Sequence, residues 1–307
     1  MTLIAIAVAA AIAAAEVTIP GPKGPLAGTL IDPGHHAPAL ILIPGSGPTD
    51  RNGDNPLGVK GGVYRQLADQ LAAKGVATLL IDKRGMFGSK AAIADANAVR
   101  LTDYATDIAG WAALMKQRGK PCVWLAGHSE GGLVALLAAQ KPKGICGLVL
   151  LASPGRPLGA LLREQLKPQL PPAMMAATET AIATLEKGSK VDPATVPAPL
   201  ASLFNPAVQG FLTDLMRTDP AKLAASTKLP MLIVQGDADL QVRLADAKAL
   251  AAARPDATLV VVPGVNHLWK PAKADDRAAN LATYADAKLA IDPAVATAVA
   301  AFVKRKR

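Results

Sequence analysis

The stretch VWLAGHSEGGLVALLAAQ, Val123 to Gln140, decides the fold. Its first part is a continuous apolar run, as in a strand covered on both faces, and its last part is rich in alanine and leucine at helical spacing. Between them stands Gly127-His128-Ser129-Glu130-Gly131, a G-x-S-x-G pattern at a strand-to-helix turn. Such a turn is sharp, and side chains at the flanking positions would collide, so glycines occupy them. The turn lifts the central Ser129 above the sheet edge, and the helix N-terminus behind it favours developing negative charge. Ser129 is therefore the candidate nucleophile.

Outward from this turn the pattern alternates. Upstream, EVTIPGPKGPLAGTLIDP reads as a strand hairpin broken by Gly and Pro, and ALILIPG and VATLLIDKRG are further apolar runs. VYRQLADQLAAKG and LTDYATDIAGWAALMKQRG separate the runs with helical spacing. Downstream come ICGLVLLASP, LPMLIVQGD and ATLVVVPG, with a helix around RLADAKALAAARP and a last helix from about Pro293. Apolar strands separated by helices imply an α/β protein with a mostly parallel, doubly covered sheet. The alternation stops between 155 and 227, where helical patterns and prolines predominate, so a helical cap is expected to interrupt a core made of 16–154 and 228–307. Met174, Met175, Leu200, Leu203, Phe204, Phe211, Leu212 and Leu215 of this cap are expected either to line an aliphatic substrate pocket or to pack the cap on the sheet. Met174, Met175, Phe204 and Phe211 are the pocket candidates.

A serine hydroxyl needs a base, and the chain has 4 histidines. His35 and His36 fall in the turn after the hairpin, and His128 lies inside the elbow, where it cannot reach round to its neighbour's hydroxyl. His267, directly after the last apolar run, remains. An orienting carboxylate comes from MLIVQGDADLQV, where Asp239 is preferred to Asp237 because it follows the strand's terminal glycine by three residues. Serine, acid and base thus follow three different strands, in the order seen in α/β-hydrolases.

These residues carry a resemblance. The chain resembles the α/β-hydrolase superfamily from Glu16 to Arg307, and within it is similar to bacterial serine esterases. The matching positions are Gly45, Ser46, Gly47, Pro48, Asp50 and Arg51; Gly127 to Gly132; Gly236, Asp239, Gln241 and Val242; and Asn266 with His267. The resemblance implies an oxyanion hole built from the backbone N–H groups of Glu130 and Ser46. Many relatives begin that loop with His-Gly where this chain has Pro44-Gly45, which leaves Gly47 as an alternative to Ser46. The triad residues and the resemblance together point to hydrolysis of small acyl esters by a Ser-His-Asp mechanism with no cofactor and no metal, and the aliphatic cap favours acyl chains of short to medium length. Thioester hydrolysis, acyl transfer, prolyl-type peptidase activity and a binding protein without turnover are the competing readings.

Composition agrees with a packed enzyme. Of 307 residues 51% are apolar and 19% charged, which excludes disorder, and an aromatic content of 3% argues against stacking surfaces. The net charge of +9 arises from scattered basic residues, so nucleic-acid binding is not expected. The N-terminal run of residues 1–15, ending in Ala13 and Ala15, reads as an export signal without a basic start. It predicts a periplasmic or secreted protein with no stable membrane insertion after cleavage. Cys122 and Cys146 open neighbouring apolar runs, so they either bridge in an oxidising compartment or remain two buried thiols. The loop DRNGDN, Asp50 to Asn55, lacks the glycine and glutamate of a calcium-binding loop, and Asp50 and Arg51 are expected to form an ion pair that holds it at the site's rim.

Overall fold

A computed structural model describes residues 14–34 and 36–305. The described chain builds an eight-stranded sheet in the order β1-β2-β4-β3-β5-β6-β7-β8. The strands are β1 (Ala14–Pro20), β2 (Pro25–Ile31), β3 (Ala39–Ile43), β4 (Ala77–Ile81), β5 (Val123–His128), β6 (Ile145–Leu151), β7 (Met231–Gly236) and β8 (Thr258–Val262). The β1–β2 hairpin runs antiparallel, β2 meets β4 antiparallel, and every other pairing is parallel.

Parallel neighbours require crossovers, and helices supply them. They are α1 (Val63–Ala73), α2 (Leu101–Gln117), α3 (Glu130–Ala138) and α8 (Leu244–Ala253), with α10 (Pro293–Arg305) closing the chain. The period-2 geometry of the strands divides their side chains between two layers. Ile41, Ile43, Leu125, Leu148, Leu150 and Ile233 face α2 and α3, where Trp111, Met115 and Leu133 complete one core. Leu40, Leu42, Trp124, Val149, Leu151 and Val234 face α1 and α10, where Leu67, Leu71, Val295 and Val299 complete the other. This two-sided burial is why the central strands read as unbroken apolar runs.

Between β6 and β7 the chain inserts α4 (Leu158–Leu166), α5 (Pro172–Glu186), α6 (Gln209–Arg217) and α7 (Pro220–Ser226). These helices hold their own cluster of Leu162, Ile182, Leu185, Phe204, Leu212 and Met216. A short α9 (Arg277–Ala282) lies between β8 and α10. Two of the four candidate pocket residues make the packing contacts that were the alternative expectation. Phe204 is 1% exposed inside the insert's own cluster, and Phe211 stacks edge-on against Tyr104 of α2 at 5.8 Å. An apolar stripe on a helix does not say which neighbour it will meet, and these two rings pack. Met174 and Met175 sit half-buried on α5.

The cysteines form a disulfide, with Cα atoms 5.4 Å apart at the starts of β5 and β6. Of the expected export signal, residues 1–13 lie outside the described residues, while Ala14 and Ala15 pair with Ile31 and Leu30 in β1. Among the described residues no helix is long and apolar enough to cross a membrane.

Candidate active site

The parallel strands end together on one side of the sheet, where α/β proteins place their ligands. Ser129 follows β5, Asp239 follows β7, His267 follows β8, and the loop Pro44 to Gly47 follows β3. At Ser129 the backbone takes φ 53° and ψ −125°, a left-handed conformation held where β5 turns into α3. The flanking glycines answer to close approach rather than to φ. A Cβ on Gly127 would run into the Gly131 carbonyl, and one on Gly131 would run into the carbonyl of Ile43. The elbow therefore packs against β3 and against itself, and Glu130 begins α3 with a backbone N–H that has no acceptor within the helix.

Asp239 is 2% exposed, and its carboxylate is fully occupied. Oδ1 accepts from the N–H groups of Gln241 and Val242 at 2.8 and 2.9 Å. Oδ2 accepts from Gln235 Nε2 at 3.1 Å and from His267 Nδ1 at 2.8 Å. Because His267 uses its Nδ1 hydrogen there, its neutral ring has a bare Nε2 able to accept a proton. Asp237 points elsewhere and accepts from the Gly264 N–H at 2.6 Å.

His128 adds a connection that the sequence did not reveal. Its Nε2–H donates to the carbonyl oxygen of His267 at 2.9 Å, since a carbonyl can only accept. Nδ1 then takes the Tyr64 hydroxyl hydrogen at 2.7 Å, and the Tyr64 oxygen accepts the Gly45 N–H at 3.1 Å. Burial, with the neighbouring His267, holds His128 well below the ordinary histidine range, and burial pushes the Tyr64 phenol upward. Both groups keep the neutral forms that this chain of bonds requires. It links the β3 loop, the elbow and the loop that carries His267 through groups that are buried throughout.

A second chain runs through Lys83, two residues after β4. Its Nζ donates to the Gly45 carbonyl at 2.6 Å and lies 3.3 Å from Glu130 Oε1. No motif pointed to Lys83 or Tyr64; the only signal is that each lies one or two residues inside or beyond an element packed beside the elbow.

The Asp50–Arg51 pairing expected from the sequence does not form. Arg51 reaches Glu16 at 2.7 Å and Asp82 at 3.3 Å, tying the loop to β1 and to the end of β4. Asp50 turns inward, and its Oδ1 accepts from the N–H groups of Asn52 and Asp54 at 2.8 and 2.9 Å. Neighbouring side chains in a tight turn diverge, which separates the two. His36 lies exposed in a turn, away from these strand ends, and His35 is outside the described residues.

The sequence profile of the serine aminopeptidase S33 family of hydrolases matches residues 57–269. This chain belongs to that family. It is 27% identical to esterase EstD of Thermotoga maritima over 260 residues, covering 82% of this chain and 57% of EstD, so it spans little more than half of that relative's length. A shorter match of 98 residues, 33% identical, joins 30% of the chain to 28% of lysophospholipase L2 of Escherichia coli. Among solved structures, Est1E of Butyrivibrio proteoclasticus with bound ferulic acid superposes with a TM-score of 0.61 at 20% identity, covering 94% of this chain and 98% of that one. The α/β hydrolase GrgF of a Penicillium species gives 0.62 at 18% identity, covering 96% and 99%. The architecture is the α/β-hydrolase fold.

Proposed function

We propose that this chain is a serine esterase that hydrolyses small carboxylic esters through Ser129, His267 and Asp239. The observation that carries the reading is the Asp239–His267 bond, 2.8 Å long and buried, beside an elbow that presents Ser129 in a strained backbone conformation. Ser129 Oγ attacks the acyl carbonyl while His267 Nε2 takes its proton, and Asp239 holds the ring and stabilises its cation. The tetrahedral oxyanion is received by the backbone N–H groups of Ser46 and Glu130. The His267 cation then protonates the departing alcohol, and water attacks the acyl-enzyme by the same route to release the acid and restore Ser129.

The insert of residues 155–227 acts as a cap over the strand ends. Its aliphatic character, with Met174 and Met175 half-buried on α5, favours short to medium acyl chains. Residues 1–15 direct export, and Glu16 begins the mature chain. The esterase name of the Thermotoga maritima relative supports ester cleavage, whereas the family's name supports peptide cleavage, so both bonds belong in the test. The nearby acids are committed elsewhere, Glu130 to Lys83 and Asp50 to its own loop, which leaves neither to anchor a peptide's free amine.

The test is fluorophosphonate labelling followed by turnover of p-nitrophenyl esters, thioesters and aminoacyl p-nitroanilides of graded length. Ser129 should be the labelled residue, Ser129→Ala should lose both labelling and turnover, and esters should be cleaved faster than anilides. Labelling that survives Ser129→Ala, or a preference for anilides, would overturn the assignment.

A further inference from the structure

Lys83 is a buried charge just beyond the end of β4 to which the proposed reaction gives no task. It is 4% exposed, and its closest partner is a backbone carbonyl rather than an acid. Nζ stands 2.6 Å from the Gly45 oxygen, against 3.3 Å to Glu130 Oε1, and 5.4 Å above the Tyr104 ring. Neutralising Glu130 would account for the longer contact only.

The Gly45 carbonyl belongs to the same planar peptide unit as the Ser46 N–H. A cation on that oxygen draws electron density from the amide nitrogen, so the N–H at the other end becomes a stronger donor. The Gly45 N–H, on the preceding peptide unit, is already given to Tyr64, so Gly45 is held through both its N–H and its carbonyl. Gly45 also lies close against the proposed nucleophile, since a Cβ built on it would come within 3.2 Å of the Ser129 Cβ. Through Glu130 the same ammonium reaches the first residue of α3, whose own N–H is the second expected donor.

We propose that Lys83 is the positioning residue of the oxyanion hole: its ammonium fixes and polarises the Gly45–Ser46 peptide and ties it to the head of α3, which makes Ser46 rather than Gly47 the donor from this loop. The inference rests on the serine-esterase reading above. It assigns Lys83 an effect in the transition state, where charge builds on the acyl oxygen, and little effect on ground-state binding.

The experiment compares wild type, Lys83→Met, Lys83→Arg and the double variant Lys83→Met/Glu130→Gln, which leaves no orphan carboxylate and so protects folding. Each is assayed with p-nitrophenyl butyrate and with a trifluoromethyl ketone that forms a hemiketal oxyanion on the serine. Both Met variants should lose about ten- to a hundredfold in kcat, with KM within about twofold. Their affinity for the ketone should fall in parallel with kcat/KM, and Lys83→Arg should recover part of the loss. Wild-type kcat in the folded double variant, or ketone affinity unchanged while kcat falls, overturns the role of Lys83 and leaves the esterase reading standing. A wild-type protein that neither labels at Ser129 nor cleaves the ester overturns both.

Discussion

The imidazole of His128 holds the main chain of His267: Nε2–H donates to the His267 carbonyl oxygen at 2.9 Å, with the two ring centroids 4.7 Å apart. The residue before the candidate nucleophile thus fixes the backbone of the candidate base. It does so while itself fixed by Tyr64, whose hydroxyl also receives the Gly45 N–H. Precision at the site comes from a buried polar chain whose members are all satisfied, and such chains are costly to interrupt.

Tyr64→Phe tests that chain. The substitution keeps the ring and its packing against Trp269 but strands the Gly45 N–H and the His128 Nδ1. Leaving a buried donor or acceptor unmade costs about 1–3 kcal/mol, so a clear fall in Tm is expected. Because the same change loosens the β3 loop and the His267 loop together, kcat for a simple ester should drop by about tenfold or more. Calorimetry and steady-state kinetics on the one variant check both, and an unchanged kcat would show that the chain is structural only.

The two aspartates after β7 should separate cleanly. Asp239→Asn replaces the acceptor of the His267 Nδ1–H with an amide that can present a donor, favouring the wrong tautomer, and kcat should fall on the order of 10⁴-fold. Asp237→Asn alters an exposed turn bond to the Gly264 N–H, and activity should stay within about twofold of wild type, as for surface changes generally. Equal losses in the two variants would refute Asp239 as the orienting acid.

The pH dependence of stability should carry the signature of His128. Its folded pKa lies well below the unfolded value of 6.5, so between the two the unfolded chain binds a proton that the native chain refuses. Stability then rises with pH across that window: the contribution is complete above 6.5 and is lost as pH falls below it. Tm should decline as the pH is lowered from 7.5 to 5.5, and His128→Gln, which cannot titrate, should flatten that slope even though it lowers Tm at every pH. A slope of the same size in the variant would assign the effect to other groups.

What could be read from the sequence follows from where the physics is local. The elbow at Gly127-Ser129-Gly131 announces itself because a sharp turn excludes side chains within five residues, and Asp239 and His267 are set by the ends of their own strands. The partners of Gly45 are a different matter. Lys83 and Tyr64 reach it only because β3 lies between β4 and β5 in the sheet, an adjacency that no periodicity encodes. The same reason separates Arg51 from Asp50, since Arg51 finds Glu16 on a strand 35 residues earlier. Phe204 and Phe211 show the limit for helices, where an apolar face reveals burial and leaves open whether substrate or protein covers it.

The disulfide provides a test of where stability and chemistry part company. Cys122 precedes β5 and Ser129 follows it, so the bridge and the candidate nucleophile sit at opposite ends of a six-residue strand, roughly 20 Å apart at ~3.3 Å per residue. The bridge joins residues 24 apart in sequence, and closing a loop of that size in the unfolded chain contributes about 3 kcal/mol. Both cysteines open strands buried in the middle of the sheet, so their loss weakens the start of the β5–β6 pairing without shifting the strand ends that bear Ser129. Replacing both with alanine should therefore lower denaturant stability by about 2–4 kcal/mol while kcat/KM for a short ester stays within about twofold at 25 °C. Chemical denaturation with and without reductant, alongside ester kinetics on the native fraction, measures the two separately. A large loss of kcat/KM in a variant that remains folded would mean that the strand transmits strain from one end to the other.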